Sequence, residues 1–386
     1  MISNPSILYK SLKENVLRMR MDGNKAIAYA ALDAGTDYFT HYPGSPVNRV
    51  EVEFKQAMLT ENRNVSINDA LNEHVSALAA AGASMCGARS LVVMKHMGLN
   101  IAADPLSFIG YTNIKGGMVV VVGTDPGARS STGEQDVHGY ASQFNAPSFE
   151  PASVQGIYDC VFHAFAVSEK AGAPVLVFVP GRIAYQSECI QRENLLPNKS
   201  NDYSFIRNRE NYINVGDRAV KNHQRLIERI EVIAKTPASI CYKQIIPNAK
   251  IGIITRGTTW APTCEVLQKL QLTTTVSHLN IERLFPIDMA EVLAFTHGLE
   301  KLIIIEDQDG YLEQQIKFRC FNEISCKIFG KSHFPAWGEI SYDKILSGLL
   351  ELFNLPVIKE RNINLNIPQR PGTYCEGCPH RGAYWG

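Results

Sequence analysis

No charge of either sign is in surplus in this 386-residue sequence, where 38 Lys and Arg balance 38 Asp and Glu and the pI lies near 7.1. Without a basic excess there are no counterions to release, which argues against nucleic acid or an anionic membrane surface as a partner held by bulk charge. Long apolar runs are missing as well. Stretches such as Met118–Val122 fall far short of the ~20 residues that a helical span of a bilayer requires. The first ten residues, Met-Ile-Ser-Asn-Pro-Ser-Ile-Leu-Tyr-Lys, carry no basic stretch followed by an apolar core, so no secretory signal is expected. The nine cysteines are odd in number and scattered, with only Cys375 and Cys378 at a meaningful spacing. That excludes a disulfide scaffold and points to a reducing compartment. Neither Gly-x-Gly-x-x-Gly nor Gly-x4-Gly-Lys-Ser/Thr occurs, so the ordinary dinucleotide and P-loop readings fail. The expectation is a cytoplasmic α/β protein of two or three domains.

The pattern that is present alternates strands with helices. Residues 1–22 form an arm with a loose apolar stripe of Ile7, Leu8, Leu12, Val16 and Leu17, read as a short helix packed on the domain or on a partner chain. Asn24–Ala34 is Ala-rich and helical, and Gly35 stops it because glycine tolerates the left-handed conformation after a helix. Strands are expected at Asp37–His41, Asn64–Ile67, Ser90–Lys95, Met118–Val122 and Pro174–Val179, with helices at Val47–Leu59, Asn72–Cys86, Asn100–Tyr111 and Val154–Ala171. Strands that are apolar throughout and separated by helices imply a parallel sheet covered on both faces, a doubly wound domain over 23–186. Ser187–Asp217 is polar and without clear period, and reads as a linker. Asp217–Lys235 reads as an amphipathic helix with Val220, Leu226, Ile227, Ile230 and Ile233 inward; together they fill 187–244. A second, smaller α/β unit spans 245–355, and 356–386 is an extended, Pro-punctuated tail.

In a doubly wound sheet the site lies beyond the carboxyl ends of the strands, and four turns there concentrate polar residues. Tyr42-Pro43-Gly44-Ser45-Pro46 presents Ser45 and nearby backbone N–H groups at a helix start, or is simply a rigid turn. Glu73 sits in the first turn of the Ala-rich helix, where a carboxylate is also favoured by the helix dipole alone. Lys95 and His96 end an apolar strand abruptly; the histidine suits a general acid/base or a substrate hydrogen-bond donor, and equally a hydrogen-bonded structural role. The fourteen-residue loop Gly123–Asp136 holds Asp125, Arg129, Ser130, Ser131, Glu134 and Gln135. It is too polar to be core, and Arg129 is the natural holder of a carboxylate or phosphate oxygen.

Gly23-Asn-Lys-Ala-Ile-Ala, Tyr42-Pro-Gly-Ser-Pro, Asn72-Glu73, Met94-Lys-His-Met-Gly-Leu-Asn-Ile-Ala-Ala-Asp-Pro-Leu106 and Ser130-Ser131…Glu134-Gln-Asp136 occur in that order, followed by Cys375-x-Gly-Cys-Pro-His-Arg-Gly382. Together they resemble the alpha subunit of the indolepyruvate:ferredoxin oxidoreductases, which are thiamine diphosphate-dependent 2-oxoacid:ferredoxin oxidoreductases. The resemblance runs from about Gly23 to the last residue. It implies a pyrimidine-binding domain over 23–186 and a transketolase C-terminal-like domain over 245–355. The tail from 356 would begin a diphosphate-binding domain that is missing here.

The same resemblance assigns residues. Glu73 would be catalytic, its carboxyl on N1′ of the aminopyrimidine so that N4′ takes the proton from thiazolium C2. A dry setting would raise its pKa enough to hold a proton. His96 would be a second catalytic residue. Tyr42, Pro43, Gly44, Ser45, Glu73 and Asn100 would bind cofactor, and Ser45, Arg129, Ser130, Ser131 and Glu134 would bind substrate. Mg²⁺ ligands are expected on the missing domain or a partner chain, because no Gly-Asp-Gly occurs here. Iron–sulfur clusters are expected elsewhere in the complex, with Cys375 and Cys378 at most partial ligands. Two departures stand out: Thr132-Gly133 replaces the family's Gln-Asn, and Glu376 its Pro. The implied partners are a 2-oxoacid substrate, a diphosphate-binding domain or subunit, ferredoxin and a second copy of the chain. The alternatives are a non-redox thiamine-dependent decarboxylase or carboligase subunit, and a non-catalytic scaffold that keeps the fold.

Overall fold

The computed structural model describes residues 17–193, 196, 203–236 and 242–356. Cys375 and Cys378 therefore lie outside the described residues. The first half of the chain supplies strands β1 (Leu17–Asp22), β2 (Tyr38–His41), β3 (Ser66–Asp69), β4 (Ser90–Lys95), β5 (Met118–Thr124), β6 (Ser148–Phe149), β7 (Val175–Pro180) and β8 (Ser187–Arg192). The second half adds β9 (Lys243–Gln244), β10 (Ile251–Arg256), β11 (Val276–Ile281), β12 (Arg283–Phe285), β13 (Lys301–Ile305) and β14 (Lys327–Phe329). A seven-stranded sheet runs in the order β12-β6-β7-β5-β4-β2-β3, and a five-stranded one in the order β14-β13-β10-β11-β9. Both are parallel except at one edge, where β12 joins β6 and β9 joins β11 antiparallel. Among the described residues no helix is long and apolar enough to cross a membrane.

The central strands β4, β5 and β7 of the larger sheet are buried on both faces, as their Val-rich sequences require, while the edge strand β3 is largely exposed. Side chains alternate by residue: Val92, Met94, Val120, Val122, Leu176 and Phe178 face one core, while Leu91, Val93, Val119, Val121, Val175 and Val177 face the other. Helices α1 (Gly23–Asp33), α2 (Val50–Thr60) and α6 (Val154–Ala171) cover the second of these faces; α3 (Glu73–Met85) and α4 (His96–Ile109) cover the first, and α5 (Gly139–Gln143) lies between α4 and α6 in the chain. Helix α1 is buried nearly all round, which explains its alanines. Its end is a Schellman turn: Gly35, at φ +73°, donates to the Leu32 carbonyl, and Thr36 donates to that of Ala31.

Four sequence expectations are corrected. The described part of the arm, β1, is a strand and not a helix, and it pairs antiparallel with β8. Residues 187–192, read as linker, are that partner strand. Polar Ser-Glu-Cys-Ile-Gln-Arg hides a strand because only Ile190 and Arg192 turn inward, and Arg192 grips the fully buried Asp33 through Nε (2.9 Å) and Nη2 (2.7 Å). Tyr158 donates to the same carboxylate at 2.6 Å. Helix α4 starts at His96, four residues earlier than expected, with no turn between strand and helix. In helix Asp217–Ala234, Leu226, Ile230 and Ile233 point inward, but Val220 is 70% and Ile227 36% exposed.

Just before β12, Glu282 is fully buried and accepts the Ala152 amide at 2.9 Å through one carboxyl oxygen; its other oxygen has no hydrogen-bond partner. Burial, aided by the charges of Asp159 and Glu150, pushes its pKa up to about 8 against the pull of that amide. The native state therefore binds more protons than the unfolded chain between pH ~4.5 and ~8, and stability falls as pH rises through that window, by up to about 1.4 kcal/mol per unit. Glu282→Gln keeps an acceptor for Ala152 but does not titrate. Denaturant unfolding should show the variant gaining stability over the parent between pH 5 and pH 8.5, by a few kcal/mol. A difference that stays constant across that range contradicts the assignment.

Candidate functional site

The chain leaves β2 towards β3 on one side and returns to place β4 on the other, so strand order reverses at β2. A crevice at the carboxyl ends of β2 and β4 is where a sheet of this kind binds ligands. The turn 42–46 closes one wall. Tyr42 donates its amide to Val93 at 3.1 Å, and Val47 donates to Gly44 at 3.1 Å. Gly44 is needed here because a Cβ would lie 2.6 Å from Cβ of Lys95. Pro43 is exposed; Ser45 is half-buried, with its hydroxyl 2.9 Å from that of Tyr185.

Glu73 begins α3, whose N-cap Asn72 accepts the Val75 amide at 2.9 Å. Its half-buried carboxyl lies directly on Gly98 of α4: a Cβ there would overlap it, 2.6 Å from Cδ. Burial raises the Glu73 pKa above the ordinary carboxylate range. His96 is 1% exposed, and neither ring nitrogen closes a hydrogen bond of ordinary geometry. Burial and the neighbouring Lys95 charge lower its pKa, so the ring is neutral at pH 7.

The loop 125–136 is organised from within. Asp125 accepts the Ser130 amide (2.8 Å), the Ser131 hydroxyl (2.5 Å), the Ser130 hydroxyl (3.3 Å) and the Arg129 amide (3.2 Å). Burial alone would raise its pKa, but these donors and Lys95 hold it below the usual range. Lys95 Nζ donates to the Ser130 carbonyl at 2.7 Å. Glu134 accepts the amides of Gly127 (3.0 Å) and of Gly338 (2.6 Å), tying the loop to the second half of the chain. Asn100 and Gln135 exchange reciprocal amide hydrogen bonds of 2.8 and 3.0 Å, and the Tyr140 hydroxyl adds a third at 2.8 Å. Ser130, Ser131, Glu134 and Asn100 thus hold the shape of the loop. Arg129 is the exception: its side chain is 76% exposed and reaches Glu339 at 2.5 Å.

Behind the loop lies a buried ionic cluster that sequence reasoning missed. Arg256, 1% exposed, places its guanidinium 3.4 Å from Glu150, 3.4 Å from Glu306 and 3.7 Å from Asp136. It also donates to the Asp307 carbonyl at 2.9 Å. His138 stands between Asp136 (2.5 Å) and Glu150 (2.6 Å). Burial and Arg256 oppose the imidazolium, yet the two carboxylates raise its pKa. The only sequence signal is Arg256 at the end of an apolar strand, where a charge needs a reason.

Among the described residues, His41, Glu51 and Asp69 bring ligand atoms within 4.8 Å of one another. His41 lies 3.4 Å from Glu51 and 3.0 Å from Asp69, and Lys55 also pairs with Glu51.

A family model described as pyruvate flavodoxin/ferredoxin oxidoreductase, thiamine diphosphate-binding, matches residues 29–230, more than half of the chain. The chain belongs to this family. A second model, the indolepyruvate oxidoreductase domain, matches 243–345. Indolepyruvate oxidoreductase subunit IorA of Pyrococcus horikoshii is 30% identical over 98% of this chain and 60% of its own length. That of Archaeoglobus fulgidus is 28% identical over 94% and 59%. The chain thus spans about three fifths of the curated relatives it matches. The 2-oxoglutarate:ferredoxin oxidoreductase from Magnetococcus marinus, solved with 2-oxoglutarate, coenzyme A and succinyl-CoA bound, superposes with a TM-score of 0.69 at 19% identity, over 86% of this chain and 65% of that one. The likeness is one of fold.

Gly98 makes the setting of Glu73 testable without touching the acid. In the parent, ¹³C-carboxyl NMR of Glu-labelled protein should show Glu73 titrating above the ordinary range. Gly98→Ala should push the carboxyl towards water and return its pKa to that range while the chain stays folded. An unchanged Glu73 titration in the variant contradicts the packing described.

Proposed function

We propose that this chain is the pyrimidine-binding part of a thiamine diphosphate-dependent 2-oxoacid:ferredoxin oxidoreductase acting on arylpyruvates of the indolepyruvate type. The observation that carries the proposal is Glu73: a half-buried carboxyl with a raised pKa at the strand-end crevice, with no hydrogen bond from another side chain among the described residues. Such a group fits a ring nitrogen that must be held and protonated. Thiamine diphosphate held there would supply a thiazolium able to add to a 2-oxo group and to take up the electron pair freed on loss of CO₂.

The chain's own residues do the rest. Glu73 holds and returns a proton at N1′ of the pyrimidine, and Gly98 leaves the room for it to do so. Turn 42–46 walls the crevice and offers the Ser45 hydroxyl, 2.9 Å from that of Tyr185, as a substrate contact. Arg129 takes the carboxylate of the 2-oxoacid, and neutral His96 backs the loop.

The face around Glu73 supports a site completed by another domain or chain. Leu71 is 87% exposed, and Val75 and Leu78 on α3 with Met97 and Ile101 on α4 are exposed beside it. Apolar surface of this kind is ordinarily covered. A diphosphate-binding unit that brings Mg²⁺ ligands would cover it, with iron–sulfur clusters passing electrons on to ferredoxin. A second copy of the chain in the assembly and a cytoplasmic site of action complete the proposal.

The test uses the assembled enzyme. Glu73→Gln keeps the size and a hydrogen bond, but not an acid that can hold and release the proton. Hydrogen–deuterium exchange at thiazolium C2 and decarboxylation should both fall by at least ~10²-fold, while cofactor affinity changes far less. If Glu73 only serves the helix terminus, the variant loses about 1 kcal/mol or less of stability and keeps its rate. A stable variant with undiminished C2 exchange removes Glu73 from the mechanism.

A further inference from the structure

Segment 335–340, from the second half of the chain, reaches the candidate substrate loop and is held on both sides of Glu339. The Gly338 amide donates to Glu134 at 2.6 Å, and the Ile340 amide donates to Asp307 at 2.6 Å. Glu339 is therefore an acceptor fixed in place, its side chain only 15% exposed. One carboxylate oxygen lies 2.5 Å from Arg182 Nε, and the other 2.5 Å from Arg129 Nη2. The two arginines differ. Arg182 is 31% exposed and also donates to the Thr258 carbonyl at 3.4 Å. Arg129 is 76% exposed and meets Glu339 through one nitrogen alone.

We propose that Glu339 is a positioning residue that holds Arg129 in reserve and yields it to the carboxylate of the incoming 2-oxoacid. This rests on the reading of Arg129 as the group that takes that carboxylate. A single-nitrogen ion pair open to water is weak, whereas a substrate carboxylate can engage the guanidinium fork with two parallel hydrogen bonds. When Arg129 swings away, Arg182 stays on Glu339, so no carboxylate is left buried and uncompensated. The loop does not depend on this contact. Lys95 on the Ser130 carbonyl, the donors around Asp125, and Glu134 between Gly127 and Gly338 keep it in place. Glu339 therefore acts on substrate as a competing anion with a fixed address. Its removal makes binding tighter, which loss of a merely structural contact would not do.

The experiment measures KM and kcat for indolepyruvate, and Kd for indole-3-lactate as a related anion that cannot be decarboxylated, on the assembled enzyme. Glu339→Gln should lower both KM and Kd by about 3- to 10-fold, with the change falling on KM and not on kcat. Glu339→Asp, which keeps the charge but draws it back from Arg129, should give a smaller drop in the same direction. Arg129→Gln should raise KM and Kd by about 10-fold or more, and adding Glu339→Gln to it should bring no gain. A higher or unchanged Kd in both Glu339 variants, with Arg129→Gln still weakening binding, overturns the role of Glu339 and leaves the reading of Arg129 standing. If Arg129→Gln moves neither KM nor Kd, that reading falls and takes the proposal with it.

Discussion

A guanidinium sealed from water has to be matched by carboxylates, and the site is built around one such match. Arg256 leaves the end of β10 and meets Glu150 from the end of β6, Glu306 from the end of β13 and Asp136 from the loop 125–136. The carboxyl ends of both sheets are thereby drawn to one point. Removing a single member of a buried set of this kind strands its partners and typically costs about 3–5 kcal/mol. The arrangement therefore specifies how the two sheets meet. Gly257 shows how tightly: a Cβ there would come within 2.8 Å of Cδ of Glu150.

The loop 125–136 is consequently anchored at its far end by Asp136 and Glu134, and at its near end by Asp125. Each of these acids is spent on donors of the protein itself. Arg129, by contrast, is a cation with a 76% exposed side chain on a backbone that is otherwise tied down. The polar richness of the loop, which in the sequence reads as a set of substrate contacts, also gives fourteen residues a shape without a core.

Features that rest on local pattern were legible in the sequence. Near-pure Val strands, the alanines of α1, the stop at Gly35 and the polar clusters at the strand ends all depend on neighbours within a few residues. Helix Val154–Ala171 and strand Ser90–Lys95 were placed to the residue. Features that depend on distant partners were not legible. Arg192 turns a polar stretch into a strand only because Asp33 lies buried opposite it. The start of α4 at His96 has no capping residue to announce it, since the strand above holds the first turn in place. Glu339 lies 210 residues from Arg129, and nothing in either neighbourhood points to the other. In the candidate site the position of Glu73 could be read from its place at a helix start, but the glycine that accommodates it belongs to the next helix.

The three-residue strand β12 has the reach of a much larger element. It comes from the second half of the chain, lies antiparallel to β6, and forms the outer edge of the larger sheet. Its Arg283 also donates to the carbonyls of Ile233 (3.1 Å) and Thr236 (2.7 Å), closing the end of helix Asp217–Ala234. A boundary drawn through the polar stretch after β8 would look natural by composition. It would nonetheless strip β6 of its outer neighbour and leave its free edge open, a surface that recruits other strands. Modularity written in composition is thus not modularity in mechanical terms: the two sheets are stitched, and the stitch is shorter than most turns.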